Sequence, residues 1–334
     1  MDLQNTQNHR SFYPNRLGLK AIGIVETGVI APYWWLNERL DIQKAGNLGA
    51  YVGRIARLGQ RPRVLAGMKN VLGPDGFARA GGNLLWNEYV RQVGRTMAEC
   101  MRMSRMRRED LRALITLKGS SHLEKAIATH EETILFVSHT GNIGSMLIAF
   151  ALGGFSITVA RNPLPLRFIE RRIAHTLQTL GIQSILLGTS AESNSPSARF
   201  PRGILTTFID EAVNPEHTSW FEFGKAQFKT SMGPGLMAAR KRACVLCVTS
   251  TRTDGFHNIV TIHPPLSICY TDDYRRDAHN VTQAGMTLLV NEVRHSPAEW
   301  LNWNYAQIRT AIAGSDDDPS TRPVQESYSE RVHS

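Results

Sequence analysis

Three polar residues stand where apolar runs end. His139 follows ILFVS (134–138), Arg161 follows SITVA (156–160), and Asp210 closes ILTTFID (204–210). A base, a cation and a carboxylate on one rim suit proton abstraction from a nucleophile, with charge stabilisation on an acyl or phosphoryl group. Ligands of open α/β sheets sit at the carboxyl ends of the strands, so these are the first positions to inspect. Strand ends are commonly polar, and topology alone leaves each residue open between a catalytic and a structural role.

The elements that must position them alternate along the chain. ILFVS, SITVA, SILLG (184–188), ILTTFID, CVLCVTS (244–250) and HNIVTIH (257–263) read as strands. NIGSMLIAFAL (142–152), LRFIERRIAHTLQTL (166–180) and a segment around GLMAARKRA (235–243) read as helices. Strands separated by helix-length crossovers predict an α/β fold with a largely parallel central sheet flanked by helices. Residues 314–334, GSDDDPSTRPVQESYSERVHS, are polar and rich in Ser, Asp and Pro, and are expected to be a disordered tail.

Charge narrows the partners. The net charge is +9, and residues 1–118 hold 19 Lys and Arg against 9 Asp and Glu, so the whole excess lies in the first third. Such asymmetry points to an anionic partner: nucleic acid, an acidic membrane surface or an acidic carrier protein. No zinc finger, ribonucleoprotein motif or helix-turn-helix supports nucleic acid. Gly18 to Leu36, GLKAIGIVETGVIAPYWWL, is mostly apolar and ends in Tyr33, Trp34 and Trp35, but Lys20, Glu26 and Pro32 make it a poor transmembrane span. It reads as an interfacial segment or, with equal weight, as a core helix. Asn87 to Met106 places Val90, Val93, Met97 and Met101 on one helical face beside Arg91, Arg95 and Arg102, which again reads as a basic surface helix or a core helix. With four cysteines and no secretory signal pattern, the expected compartment is a reducing cytoplasm.

Other motifs are weak. Cys244 and Cys247 are spaced C-x-x-C but fall in a strand, where they face opposite ways, so buried thiols are expected rather than a metal or redox pair. His257 and His263 lack the frame of a zinc site. GNIGS is not G-x-S-x-G, while GPDG (73–76) and GPG (233–235) read as turns and not as phosphate-binding loops. No cofactor and no metal is expected.

Several blocks in order carry a resemblance: RVLAGMKNVLG (63–73), LKGSSHLEKAIATHEETILFVSHTGNIGS, VARNPLPLRFIERRI (159–173), TFIDEA, FEFGKAQFKTSMGPGLMAARKRACVLCV and HSPAEWLNWNYAQIR. From about Gly49 to Ile312 the chain resembles the lauroyl/myristoyl acyltransferases of lipid A biosynthesis and their relatives that acylate phosphatidylinositol mannosides, within the lysophospholipid acyltransferase-like superfamily. The resemblance implies a glycerolipid acyltransferase-like fold. It also implies transfer of a fatty acyl chain from acyl carrier protein or coenzyme A to a lipid or glycolipid hydroxyl at the cytoplasmic membrane face. The expected organisation is an N-terminal membrane-associating segment (1–47), an acyltransferase domain (48–312) and a tail (313–334). The family motif is His, four residues, then Asp or Glu, and it makes His139 the general base. Amides at the following helix start are then expected near the oxyanion. Asn142, Arg161 and Asn162 become candidate substrate contacts, with Arg161 on a phosphate or the oxyanion.

The motif acid is absent here, because the fourth step from His139 past Ile143 reaches Gly144. Where relatives usually carry a histidine after the tryptophans, this chain has Asn302, Trp303 and Asn304. By topology Asp210 and Glu211 are the nearest replacement acids, and Asp210 is preferred. A glutamate at position 144 is expected to restore transfer, provided the side chain fits. The alternatives are a non-catalytic member that binds lipid or acyl carrier protein, and an enzyme that acylates an amine or a secondary metabolite.

Overall fold

A computed structural model describes residues 26–56, 58–130, 132–164, 166–187, 203–211, 218–253, 255–304 and 306–310. The expected disordered tail and Gly18–Val25 of the apolar N-terminal stretch lie outside the described residues. Ten α-helices are described, besides shorter 3-10 and π turns: α1 Ala31–Asn37, α2 Ile42–Ala56, α3 Arg61–Arg79, α4 Leu85–Met103, α5 Arg108–Leu114, α6 Ser120–Thr129, α7 Ile143–Leu152, α8 Arg167–Thr179, α9 Gly233–Lys241 and α10 Tyr274–His295. The strands are β1 Ile115–Lys118, β2 Glu132–Val137, β3 Ile157–Arg161, β4 Gln183–Leu186, β5 Gly203–Phe208, β6 Thr218–Phe223, β7 Ala226–Ser231, β8 Cys244–Arg252, β9 Asn258–Pro265 and β10 Gln307–Thr310.

Seven strands form one sheet in the order β1-β9-β8-β2-β5-β3-β4. From β8 to β4 every neighbour pair is parallel. β9 returns antiparallel to β8, and β1 runs with β9. The expected α/β architecture is therefore present. The reversed edge follows from the short connection after Arg252, too short for the helical crossover that a parallel neighbour needs.

Both faces of the sheet are covered, and the period of two along β2 and β8 shows it. Ile134, Phe136, Val245 and Cys247 enter one apolar cluster with α4, α9 and α10, while Leu135, Val137, Cys244, Leu246 and Val248 enter the other with α7. Cys244 and Cys247 thus face opposite ways, and burial pushes the Cys247 thiol up to about 12.

The helix from Asn87 to Met106 corresponds to α4, and the core reading wins over the surface one. Val90, Val93 and Met101 are buried, although Met97 is 41% exposed. α2 crosses α4 so closely that a Cβ on Gly49 would lie 2.3 Å from Gly94 O, and one on Gly53 2.3 Å from Val90 O. Only glycine fits this crossing. α2 also runs through the boundary expected at residue 47, so the two expected units share a helix.

Two turn expectations differ from the structure. At GPDG the chain does bend, with Gly73 at φ 73°, ψ 165°, but helix resumes behind Pro74, which suits a first helical turn. GPG instead opens α9, again with Pro in the first turn, and Gly235 lets α9 approach α10: a Cβ there would lie 2.4 Å from Ala278 O. β6, β7 and β10 form a second, antiparallel sheet. Its Phe223 and Phe228 pack on Trp300 at 5.1 and 5.6 Å between ring centroids, and Trp303 meets Trp300 edge-on at 4.6 Å. This aromatic block fixes the segment 297–304 under the ends of β2 and β5.

Candidate active site

β2 and β5 are adjacent and parallel, with Val137 opposite Phe208. Ile209 N–H continues the ladder onto Val137 O at 3.0 Å. Two residues further along each chain, His139 and Asp210 are therefore brought face to face. His139 N–H donates to Asp210 Oδ2 at 2.8 Å, and His139 Nδ1 lies 2.8 Å from Asp210 Oδ1. Trp300 Nε1–H donates to the same Oδ2 at 2.8 Å. Asp210 has no exposed side-chain surface, whereas the His139 side chain retains 16%.

The charges follow from these contacts. Burial pushes the Asp210 carboxyl up, but the facing imidazolium, its hydrogen bond and the donors from Trp300 and the His139 amide outweigh it, so the net shift is below the usual carboxylate range. Burial likewise pulls His139 down, and the Asp210 charge, its hydrogen bond and the Glu211 charge more than offset it, so the net shift is upward. The buried carboxylate is thus charged, and in the neutral ring it keeps the proton on Nδ1 and the lone pair on Nε2. Asn302 Nδ2 lies 3.0 Å from Nδ1, but Nδ1 already carries its proton toward Asp210, so the amide's useful bond is its donation to Asp210 O at 2.9 Å. Phe208 stacks on the imidazole at 4.4 Å and 27°.

The segment 297–304 completes the clamp. Gly141 N–H donates to Glu299 O at 2.9 Å, and Leu301 N–H to His139 O at 2.8 Å. The Tyr89 hydroxyl lies 3.0 Å from Leu301 O and 2.9 Å from Asn304 Oδ1. Imidazole position and tautomer are set by neighbours on three separate stretches of chain.

The other candidate residues are placed differently. Asn142 caps α7, accepting from Ser145 N–H at 3.0 Å, and its Nδ2 donates to Glu99 at 2.9 Å. With no exposed surface, it has no substrate-facing group, which corrects its reading as a substrate contact. Arg161 ends β3 and forms a two-pronged pair with Glu170 at 2.6 and 2.8 Å, plus a bond to Ser184 at 3.0 Å. Its guanidinium lies along a cleft of about 540 Å³ between α8 and β4 and is committed to Glu170, not to His139. Asn162 does reach the site, because its Nδ2 donates to Glu211 Oε2 at 2.6 Å and Glu211 Oε1 lies 3.3 Å from His139 Nε2.

Gly144 does not border the imidazole. A Cβ there would lie 2.8 Å from Cys100 Sγ on α4, so a glutamate does not fit unless the Cys100 side chain gives way, which works against the expected restoration. Three amides at this helix start are committed: Gly141 to Glu299 and Ser145 to Asn142, while the Gly144 amide bonds the Cys100 thiol. These three amides are therefore not donors to an oxyanion. Sequence reasoning missed Trp300 and Asn302 as partners of Asp210; the only signal was the Trp-rich block that contains them. His257 and His263 each pair with a threonine at 2.9 Å, and no cluster of metal-ligating side chains occurs among the described residues.

A histidine with Nδ1 fixed by a buried carboxylate, and with Nε2 beside the partly exposed carboxylate of Glu211, is an arrangement that suits a general base. No curated protein matches the chain. The family model of bacterial lipid A biosynthesis acyltransferases matches residues 22–307, and on that match the chain belongs to this family.

Proposed function

We propose that the protein transfers a fatty acyl group from the thioester of acyl carrier protein or coenzyme A to a hydroxyl of a lipid or glycolipid, at the cytoplasmic face of the membrane. His139 is the base and Asp210 replaces the motif acid. The observation that carries this reading is the 2.8 Å contact between Nδ1 and buried Asp210, in a histidine whose side chain keeps 16% of its surface exposed. Nε2 takes the acceptor's hydroxyl proton while that oxygen bonds to the thioester carbonyl carbon. The carbon–sulfur bond then breaks, and the departing thiolate recovers the proton from Nε2. Asp210 stays charged throughout and stabilises the transient imidazolium.

Two surfaces support the proposed partners. Trp35, Leu36, Tyr51 and Ile55 are exposed on α1 and α2, and Arg39 lies 3.8 Å over the Trp35 ring. Exposed aromatic and aliphatic groups beside arginines suit shallow attachment to an anionic leaflet. Trp34, by contrast, is buried against Phe168 at 5.8 Å, so the tyrosine–tryptophan cluster divides between core and surface. Among the described residues no helix is long and apolar enough to cross a membrane. Arg79, Lys225 and Arg294 stand exposed around a cleft of about 680 Å³ that Glu88 and Glu299 also line and whose wall includes Pro297, next to the clamp on Asp210; the three exposed cations at its rim suit an acidic carrier.

The test is mass spectrometry of lipids from cells lacking the gene, complemented with wild type or His139→Ala, with vesicle flotation of the purified protein in parallel. The expected result is an acylated lipid that only wild type restores, together with flotation that is stronger on anionic vesicles. Full restoration by His139→Ala would remove the histidine from catalysis and favour a binding protein. A protein that stayed at the bottom of the gradient with every vesicle would remove the membrane assignment.

A further inference from the structure

Glu211 is the residue beside the imidazole that proton transfer through Nε2 does not use. Its backbone is pinned, since its carbonyl accepts from Ser231 N–H and from Thr230 Oγ1, each at 3.1 Å. One carboxylate oxygen is pinned as well, by Asn162 Nδ2 at 2.6 Å. The other, Oε1, faces His139 Nε2 at 3.3 Å. The Glu211 side chain is 31% exposed, against none for Asp210.

In the protonated ring Nε2–H donates to Oε1 and the contact is satisfied. In the reactive ring the proton is on Nδ1, facing Asp210, and Nε2 and Oε1 are then two acceptors side by side with no hydrogen between them. Each needs a donor from outside. A lone hydroxyl supplies one, whereas two hydroxyls on neighbouring carbons supply both, one to each atom.

We propose that Glu211 is the acceptor-binding residue of this site, and that with Asn162 it selects acceptors carrying a second hydroxyl next to the one that is acylated, as in a vicinal diol or a sugar ring. The proposal rests on the acyl-transfer reading above. In the reaction the first hydroxyl gives its proton to Nε2 and its oxygen forms the ester, the thioester carbon–sulfur bond breaks, and the thiolate takes the proton from Nε2. The second hydroxyl stays on Glu211 and is not consumed. The charged or polar groups facing the imidazole are Asp210 and Glu211 from beyond β5 and Asn302 from the 297–304 segment, with Phe208 stacked on the ring. Asp210 and Glu211 are the titrating groups among them.

The experiment compares two acceptors in mixed micelles, 1-O-hexadecylglycerol and 3-hexadecyloxypropan-1-ol, with lauroyl thioesters of acyl carrier protein and of coenzyme A as donors. The second acceptor lacks only the vicinal hydroxyl. Wild type is expected to favour the diol by roughly 10- to 100-fold in kcat/KM, the range for a hydrogen bond to a charged group. Glu211→Gln should lose most of that preference through the acceptor KM. It should also move the acid limb of the pH–rate profile to lower pH, because a negative charge has left Nε2. Asn162→Ala keeps the charge but frees the carboxylate, so it should weaken the preference and leave the limb in place; it also decides the matter if Glu211→Gln folds poorly. Equal wild-type rates on both acceptors would overturn this proposal alone, as would a Glu211→Gln enzyme that kept both preference and limb. No transfer by wild type to either acceptor would instead defeat the acyl-transfer reading.

Discussion

Asp210 and Glu99 are both fully buried carboxylates bonded to residues of the 139–142 turn, but their surroundings differ. Glu99 lies 2.7 Å from Arg95, 2.5 Å from Arg252 and 2.9 Å from Asn142 Nδ2, with Thr96 Oγ1 also bonded to Arg252. Arg252 is itself only 4% exposed, so Glu99 is enclosed by its partners, with Arg95 alone reaching partly to the surface. Asp210 closes on Trp300 and on a histidine whose second nitrogen meets the partly exposed carboxylate of Glu211 at 3.3 Å. The first arrangement joins α4 to β8 and α7; the second leaves a lone pair for a substrate. Burial and charge are common to both, and what separates structure from chemistry is whether a reactive atom remains unsatisfied at the surface.

Mutations should divide along that line. Asp210→Asn removes the charge that fixes the imidazole tautomer, so transfer should fall by roughly 10³ to 10⁴, the loss seen when a histidine-orienting acid is neutralised. Steady-state rates beside thermal unfolding would check it, and a rate within a few-fold of wild type would remove Asp210 from the mechanism. Glu99→Gln should act the other way, costing about 3–5 kcal/mol of stability because two arginines lose their buried partner. Denaturant titration would measure it; a normal midpoint with lost activity would erase the distinction between the two carboxylates.

Gly144→Glu probes the boundary between the regions. Since its Cβ would lie 2.8 Å from Cys100 Sγ, the variant should lose about 1–3 kcal/mol and gain no transfer. Cys100→Ala in the same chain should recover part of the loss. Faster transfer by Gly144→Glu alone would mean that the acid acts from the motif position after all. The smallest effect concerns pH. His139 is shifted upward, so its base form accumulates only as pH rises through a value above the ordinary 6.5, and the acid limb of transfer should lie there. The same pair stabilises the fold between the lowered Asp210 and the raised His139 values: its contribution falls as pH drops through the first or rises through the second.

Much of this was legible in the sequence. The apolar runs ending at Ser138 and Ile209 imply parallel strands, and strands that are both buried and adjacent bring His139 and Asp210 together by register alone. The absence of an acid at Gly144 pointed to the same partner. Arg161 misled because its pairing with Glu170 depends on how α8 docks beside β3, which no spacing along the chain reveals. The Trp300 bond to Asp210 depends on the second sheet, whose short hairpin alternates about the turn at Gly224 but whose docking against the tryptophans no spacing along the chain reveals. The tryptophan cluster near residue 34 was ambiguous because one residue of it packs inward and the next outward, a division set by α8 and not by composition.

The central claim is that Asp210, from outside the motif, orients His139 for base catalysis. Nitrogen NMR of the His139 ring reads this directly, comparing wild type with Asp210→Asn across the titration. The account predicts a neutral ring protonated on Nδ1, with a pKa above 6.5 in wild type and a lower one in the variant. A neutral ring protonated on Nε2, or a pKa that does not move when Asp210 loses its charge, would contradict it.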